Sequence, residues 1–228
     1  MTKKNQSKNW NEIKTNNSWA LFKIMSEFVE GYETLSSIGP CISIFGSART
    51  PENHPTYQLT VDIAKEVVNS GYGVITGGGP GIMEAANKGA KLALGTSVGL
   101  NILLPFEQSS NKYIDPDKTI NFQYFFVRKV MFVKYAQGFV VMPGGVGTLD
   151  ELFEAITLIQ TEKIKKIPII LVGKSYWEGL IDWLKNSMLK EKNISPEDLY
   201  LFKVVDTPEE VIDALEKFHV KNNFRPNF

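Results

Sequence analysis

The sequence predicts an α/β protein: a doubly wound, mostly parallel sheet of the Rossmann-like type with an added N-terminal helix. Short apolar runs alternate along the chain with segments whose apolar residues recur every three or four positions. Such alternation is typical of a parallel sheet with helices on both faces. Several apolar runs also end in glycine-rich segments just before a helix. In open α/β sheets, ligands bind at that position.

The predicted strands are short apolar runs bounded by glycine or polar residues. In chain order they are Cys41–Phe45, Gly73–Thr76, Ser97–Leu104, an extended segment Phe122–Phe126, Gly138–Met142, Ile167–Val172 and a last strand ending in Val204-Val205. The predicted helices show apolar residues at helical spacing. They are Trp19–Leu35, Tyr57–Asn69, Ile82–Leu94, Val127–Ala136, Thr148–Thr161, Ser175–Lys190 and a final helix. The final helix opens with a capping box made by Thr207 and Glu210, with Pro208 as its first residue.

The domain organisation follows from length and from the lack of any dividing segment. The 228 residues suit one domain, because no long linker and no internal repeat interrupts the alternating pattern. The first residues are polar and carry no periodic pattern. We predict a disordered lead over residues 1–17, an N-terminal helix over 18–37 and a single Rossmann-like nucleotide-binding domain over 38–228.

Composition argues against several classes of function. The 25 basic and 25 acidic residues give a formal net charge of +0, whereas proteins that grip nucleic acid usually carry a basic excess. The lone Cys41 and the two histidines, His54 and His219, argue against a disulfide, a Cys- or His-rich metal site and a Ser-His-Asp triad. No signal peptide and no apolar run of roughly 18 residues occurs. We expect a cytoplasmic protein without membrane or nucleic-acid partners.

Two glycine clusters, each between a predicted strand and a predicted helix, indicate an anion site. They are Gly77 to Gly81 and Gly144 to Gly147, and a smaller cluster, Gly46-Ser47-Ala48-Arg49, follows the first strand. Exposed backbone N–H groups at a helix N-terminus suit a phosphate. The alternative is that these glycines only serve tight turns with positive φ. Because two clusters hold three or more glycines each, we favour the phosphate site.

The common nucleotide-binding motifs are absent from both glycine clusters. The dinucleotide fingerprint would need glycine at position 82 in the first cluster and at position 150 in the second, where the chain has Ile82 and Asp150. The segment Gly173-Lys174-Ser175 matches only the end of a P-loop motif, because its first glycine is replaced by Pro168. The sequence therefore supports neither an ordinary dehydrogenase nor a P-loop ATPase.

Glu151 and Arg128 are the candidate reactive groups. Glu151 lies just inside the helix that follows the second cluster, where a helix N-terminus favours an ionised carboxylate. The alternative is that Thr148-x-x-Glu151 is a capping box. Arg128 and Lys129 interrupt an apolar stretch, and adjacent helical residues point about 100° apart. At most one of the two cations therefore faces the crevice, and the alternative is that both lie on a solvated helix face.

Three motifs of the chain resemble the Lonely Guy family. They are Gly77-Gly-Gly-Pro-Gly-Ile-Met83, Val127-Arg-Lys-Val-Met131 and Pro143-Gly-Gly-Val-Gly-Thr-Leu-Asp-Glu151. Members of this family are cytokinin riboside 5′-monophosphate phosphoribohydrolases, long labelled as lysine decarboxylases. The resemblance covers about residues 38–218, and the N-terminal helix is similar to that of the longer bacterial members. It implies a homodimer or a higher homo-oligomer.

The resemblance also implies roles for residues. Arg128 and Glu151 would be the catalytic pair, and the glycine loops would hold the 5′-phosphate. Met83 would lie near the base. The substrate-binding residues expected in this way are Gly46, Ser47, Gly78, Gly79, Gly81, Met83, Lys129, Pro143, Gly144, Gly145, Gly147 and Thr148.

The implied reaction splits a nucleoside 5′-monophosphate, AMP or an N6-modified AMP, into free base and ribose 5-phosphate. It needs no metal and no cofactor. A carboxylate at the sugar suits the oxocarbenium-like transition state of such a cleavage. A lysine decarboxylase would need pyridoxal phosphate on a lysine, and no motif nominates one. The competing hypothesis is a non-enzymatic nucleotide or molybdenum-cofactor carrier on the same fold, which would need the phosphate loops without the carboxylate.

Overall fold

The structure is a computed structural model that describes residues 17–105, 110–220 and 227. The predicted disordered lead over residues 1–17 lies outside the described residues, apart from residue 17, with which the first helix begins.

Seven described strands form one parallel sheet, so the predicted fold class is confirmed. The strands are β1 (Cys41–Phe45), β2 (Gly73–Thr76), β3 (Ser97–Ile102), β4 (Thr119–Phe122), β5 (Ala136–Val141), β6 (Ile169–Val172) and β7 (Phe202–Val205). Their order in the sheet is β4-β3-β2-β1-β5-β6-β7. The chain builds outward from β1 to β4 and then returns to place β5 beside β1. This reversal is the position at which such sheets open a ligand crevice.

The helices cover both faces of the sheet. They are α1 (Asn17–Leu35), α2 (Pro55–Asn69), α3 (Ile82–Leu92), α4 (Phe125–Tyr135), α5 (Val146–Gln160), α6 (Lys174–Trp183) and α7 (Pro208–His219). One core joins the sheet to α1, α4, α5 and α6, and a second core joins it to α2, α3 and α7. Alternation along β1 serves both cores, because Phe45 belongs to the first and Ile42 and Ile44 belong to the second. None of the described helices has the length and apolar character needed to cross a membrane.

The segment before α4 differs from its prediction. We predicted an extended run over Phe122–Phe126, but the strand is Thr119–Phe122 and the helix already begins at Phe125. The buried carboxylate of Glu27 in α1 accepts hydrogen bonds from the backbone N–H groups of Gln123 (2.9 Å) and Tyr124 (3.3 Å). A carboxylate at the start of a helix satisfies N–H groups that have no partner within the helix. This contact holds the turn between the end of β4 and the start of α4.

Of the last two predicted helices, one begins as predicted and the other ends earlier than predicted. The capping box of Thr207 and Glu210 at the start of α7 is present as predicted. The helix predicted over Ser175–Lys190 is α-helical only to Trp183, and a π-helical segment continues it over Leu184–Leu189. The placement of domain boundaries at residues 18 and 38 stays a prediction.

Candidate functional site

An open cavity of about 600 Å³ lies at the carboxyl ends of β1, β2 and β5, where the strand order reverses. The register pairs Phe45 at the end of β1 with Val141 at the end of β5. The loops that follow these strands therefore meet at the cavity. Its lining consists of Phe45, Gly46, Ser47, Ala48, Arg49, Gly77, Met83, Ile102, Leu104, Phe125, Arg128, Gly145, Val146, Gly147, Thr148, Asp150 and Glu151.

Ser47 links the three loops that surround the cavity. Its backbone N–H donates to the carbonyl of Pro143 at 3.1 Å, and its own carbonyl accepts from the N–H of Ile82 at 3.0 Å. Its hydroxyl accepts from the N–H of Arg49 at 3.1 Å. The loop after β1 is thereby held against the starts of both glycine-preceded helices, α3 and α5.

Two glycines of the first cluster are required by the fold. Gly78 and Gly81 have φ angles of 72° and 68°, a region that residues with a side chain rarely adopt. A Cβ on Gly81 would also overlap the backbone carbonyl of Ser47, and one on Gly78 would overlap the Asn101 side chain. Turn geometry and close packing thus account for these two glycines, as the alternative interpretation of the sequence proposed.

A buried amide network holds this first cluster in place. The Asn111 side-chain amide donates to the carbonyls of Gly78 and Gly79, both at 3.1 Å, and to Asn87 Oδ1 at 2.9 Å. Asn87 is fully buried and also accepts from the hydroxyl of Thr76 at 2.6 Å. The carbonyls of the first cluster are therefore held by a side chain more than 30 residues away in sequence.

The second glycine cluster has a different character. A Cβ built on Gly145 or Gly147 would meet no atom within 4 Å, and neither residue has a positive φ. Both residues are exposed and line the cavity. Gly144, in contrast, is buried against the Thr148 side chain. Neither packing nor backbone strain requires glycine at positions 145 and 147, where glycine leaves the first turn of α5 open toward the cavity.

Glu151 faces the cavity from the second turn of α5. The capping box with Thr148, which was the alternative interpretation of the sequence, is wrong. The helix begins at Val146 with Gly145 as its N-cap, because the Gly145 carbonyl already accepts from the N–H groups of Thr148 and Leu149. Thr148 therefore lies inside the helix and cannot act as its N-cap. The Glu151 carboxyl is left available to the cavity.

Burial raises the pKa of Glu151 from 4.5 to about 7, against the lowering effect of the positive charges of Arg128 and Lys129. The sequence predicted an ionised carboxylate at the helix N-terminus. In the folded protein the loss of solvation outweighs the attraction of the cations. A carboxyl group that titrates near neutral pH is suited to accept and release a proton during a reaction.

Arg128 approaches the same cavity from α4. Its Nε donates to the carbonyl of Leu100 at 2.8 Å, and its guanidinium carbon lies 5.1 Å from the centre of the Phe132 ring. Gly77 makes room for this side chain, because a Cβ there would overlap the Arg128 guanidinium. Burial lowers the pKa of Arg128, and the charge of Glu151 opposes this effect; a guanidinium nevertheless stays protonated at neutral pH.

Lys129 was predicted to bind substrate, but the structure engages it elsewhere. Its Nζ pairs with Asp150 Oδ1 at 2.9 Å and with Glu154 Oε2 at 2.7 Å, and it is not part of the cavity lining. The expectation that at most one of the adjacent cations faces the crevice agrees with this geometry, in which Arg128 is the one that does.

The other residues predicted to form the site fall into two groups. Those that the structure brings to the cavity lining are Gly46, Ser47, Met83, Arg128, Gly145, Gly147, Thr148 and Glu151. Those that lie outside the lining are Gly78, Gly79, Gly81, Lys129, Pro143 and Gly144. Within the outer group, Gly78 and Gly81 serve turns with positive φ, Gly144 packs against Thr148, and the Pro143 carbonyl receives the N–H of Ser47.

Sequence reasoning missed several residues of the cavity. Arg49 and Gly77 belong to clusters it singled out, but neither received a role. The apolar wall of Phe45, Ile102, Leu104, Phe125 and Val146 was not assigned either. The rule that ligands bind beyond the carboxyl ends of strands could have nominated the wall, because four of these residues end or closely follow a strand and the fifth begins α5.

Comparison with known proteins places the chain in a family. Residues 83–215 match the model of the family described as "Possible lysine decarboxylase". A cytokinin riboside 5′-monophosphate phosphoribohydrolase of Mycobacterium tuberculosis is 29% identical over 170 residues, which are 73% of this chain and 89% of that protein. The probable cytokinin riboside 5′-monophosphate phosphoribohydrolase LOG6 of Arabidopsis thaliana is 27% identical over 172 residues, which are 73% of this chain and 83% of that protein.

Solved structures share the fold at lower identity. The molybdenum cofactor binding protein of Rippkaea orientalis matches with a TM-score of 0.56 at 21% identity, over 78% of this chain and 95% of that one. The molybdenum cofactor carrier protein of Chlamydomonas reinhardtii matches with a TM-score of 0.56 at 23% identity, over 79% of this chain and 98% of that one. At these identities the likeness concerns the fold alone. The family match spans more than half of the chain, so this protein belongs to the possible lysine decarboxylase family, which is the Lonely Guy family that the sequence motifs resemble.

Proposed function

We propose that this protein hydrolyses the N-glycosidic bond of a nucleoside 5′-monophosphate, AMP or an N6-modified AMP such as a cytokinin ribotide. The products are the free base and ribose 5-phosphate. The observation that carries the proposal is the convergence of Glu151 and Arg128 on one cavity whose edge is the open first turn of α5. The names of the curated relatives, which are phosphoribohydrolases of cytokinin riboside 5′-monophosphates, support the same reaction class.

The proposed binding mode starts from the first turn of α5. Gly145 and Gly147 leave the backbone N–H groups of this turn accessible, and these groups together with the helix dipole stabilise a phosphate. A phosphate bound there would bring the attached ribose toward Glu151, one turn further along the same helix. Met83 and Phe125 provide apolar surface for the base on the wall of the cavity.

The proposed chemistry uses Glu151 as the proton acceptor. The bond between the anomeric carbon and the base nitrogen breaks with its electron pair leaving on the base, and positive charge develops on the sugar. Water bonds to the anomeric carbon and passes a proton to the Glu151 carboxylate, while the departing base takes up a proton from solvent. Glu151 then returns its proton to solvent, which restores the carboxylate. The negative charge of Glu151 also stabilises the oxocarbenium-like sugar. Arg128 balances that charge and orients the ribose.

A base-release assay tests this function. The purified protein is incubated with AMP, GMP, CMP, UMP and isopentenyl-AMP, and free base and ribose 5-phosphate are quantified by chromatography. We expect release from AMP or isopentenyl-AMP, and loss of release by more than about 100-fold in Glu151→Gln with nucleotide binding retained. The matched control is Glu154→Gln, which removes a carboxylate on the same helix outside the cavity lining. Tight AMP binding without release of base under any condition would instead favour a nucleotide or cofactor carrier.

We also propose that the protein forms a homodimer or a higher homo-oligomer. Phe125 and Phe126 of α4 expose about half of their surface, and Val146 of α5 is 84% exposed. A shallow, mainly apolar depression along α5 includes Leu149 and Phe153. Exposed apolar surface of this extent on neighbouring helices suits a protein interface. Sedimentation velocity gives the molar mass, and a monomer at micromolar concentration would contradict the proposal.

A further inference from the structure

Arg49 is, beside Arg128, the second arginine that lines the cavity. The residue is exposed, and it lies four positions after the end of β1 at Phe45. Its backbone N–H donates to the Ser47 hydroxyl at 3.1 Å. This turn fixes the start of the side chain at the cavity edge, and Arg49 is part of the lining.

Arg49 differs from Arg128 and Asp150, two other charged residues of the lining, because among the described residues its side chain has no hydrogen-bond or ion-pair partner. Arg128 is partly buried, donates to the Leu100 carbonyl and packs against an aromatic ring. Asp150 pairs with Lys129 at 2.9 Å. Arg49 forms no ion pair with any residue of the ranges 17–105 and 110–220. Its charge is therefore available to a ligand, and an anionic ligand suits it best.

The position of the Arg49 loop indicates which part of a ligand it meets. The N–H of Ser47 donates to the Pro143 carbonyl at 3.1 Å, so this loop is tied to the segment that leads into α5. The open turn at Gly145 and Gly147 belongs to that same segment. Backbone N–H groups and an arginine fork commonly bind one phosphate together, because the guanidinium presents two parallel donors to two phosphate oxygens.

We propose that Arg49 binds the 5′-phosphate of the substrate beside the first turn of α5. This inference rests on the proposed function. The two arginines then have different roles. Arg49 and the first turn of α5 bind the phosphate, and Arg128 lies beside Glu151 at the ribose. These two roles agree with the solvent exposure of Arg49 and the deeper position of Arg128.

Binding measurements test the role of Arg49 without relying on turnover. Isothermal titration calorimetry compares AMP, adenosine and ribose 5-phosphate as ligands. The proteins are Glu151→Gln, in which AMP stays intact, and the same variant with Arg49→Gln or Arg49→Lys added. Lys112→Gln is the control, because Lys112 is exposed, lies outside the cavity lining and undergoes the same change of charge.

Arg49→Gln is expected to weaken the binding of AMP and ribose 5-phosphate by about 10- to 100-fold, the range for a lost charged hydrogen bond, and to leave adenosine binding unchanged. The affinity of Arg49→Lys for AMP should lie between those of the parent protein and Arg49→Gln, since lysine keeps the charge but lacks the two parallel donors of a guanidinium. An unchanged ratio of AMP to adenosine affinity in Arg49→Gln would overturn the proposal, as would a failure of the parent protein to bind AMP.

The failure of this inference is distinguishable from the failure of the proposed function. If the wild-type protein releases base while Arg49→Gln keeps its preference for AMP over adenosine, only the role of Arg49 is wrong. If the wild-type protein binds AMP and never releases base, but Arg49→Gln loses AMP affinity, the phosphate role stands and the hydrolase proposal is wrong.

Discussion

The two glycine clusters occupy equivalent places, each between a parallel strand and a helix, but they hold glycine for different reasons. Gly81 in the first cluster has a positive φ, and a side chain there would overlap the backbone of Ser47. Gly145 and Gly147 in the second have no positive φ and face open space. Gly78 and Gly81 of the first cluster serve folding, whereas Gly145 and Gly147 of the second leave a helix N-terminus accessible. A glycine-rich motif is thus informative about ligands only where the fold itself does not need the glycines.

Gly81→Ala should have the largest effect on stability. The substitution adds both a strained φ and an overlap with a backbone carbonyl, so we expect the free energy of unfolding to fall by about 2 to 3 kcal/mol. Urea denaturation followed by circular dichroism measures the change. Gly39→Ala is the matched control, because Gly39 has a φ of 76° but nothing within 4 Å of its added Cβ. Equal losses in the two variants would show that the overlap costs nothing.

Gly77→Ala should damage catalysis more than stability. Its Cβ would displace the Arg128 guanidinium and the sulfur of Met83, both at the ends of flexible side chains. We expect kcat for base release to fall by about 10- to 100-fold, since a small misplacement of a reacting group is costly. The free energy of unfolding should fall by only about 1 kcal/mol. A variant with wild-type kcat would contradict the placement of Arg128 in the reaction.

Gly147→Ala should show the opposite pattern to Gly81→Ala. Alanine favours a helix, so stability should stay unchanged or rise by up to about 0.5 kcal/mol. The added methyl group stands in front of the first turn of α5, and we expect the KM for AMP to rise by about 10-fold through weakened phosphate contacts. Gly179→Ala is the control, because Gly179 lies in α6 with equally open surroundings. A loss of stability comparable to that of Gly81→Ala would break the contrast between the clusters.

Much of the fold was predictable because buried parallel strands and helices leave local patterns. The strands β1 and β2 were predicted with their bounds, and the position of the crevice followed from the glycine-rich strand ends. The errors arise where a distant residue decides the local structure. The carboxylate of Glu27 holds the turn before α4 from almost 100 residues away in sequence, and no pattern around Phe125 could reveal it.

Which residues reach the cavity was partly predictable, and the local geometry of the site was less so. Arg128 and Glu151 were nominated by type and position, and the structure brings both to one cavity. The capping box at Thr148 was wrong because a Thr-x-x-Glu pattern does not say where a helix begins, and the Gly145 carbonyl starts α5 earlier. The pairs that Lys129 forms with Asp150 and Glu154 depend on how α4 and α5 pack together, which spacing along the chain does not contain.

The pH dependence of kcat/KM for base release tests the central claim, that Glu151 accepts the proton in this cavity. Since the pKa of Glu151 in the free protein is about 7, kcat/KM should rise about tenfold per pH unit below that value and level off above it. Stability should run the other way: the raised pKa stabilises the folded state below pH 4.5, and this contribution is lost as pH rises toward about 7. Glu151→Gln should remove both trends. A kcat/KM that stays constant from pH 5 to 8 in the wild-type protein would contradict the account.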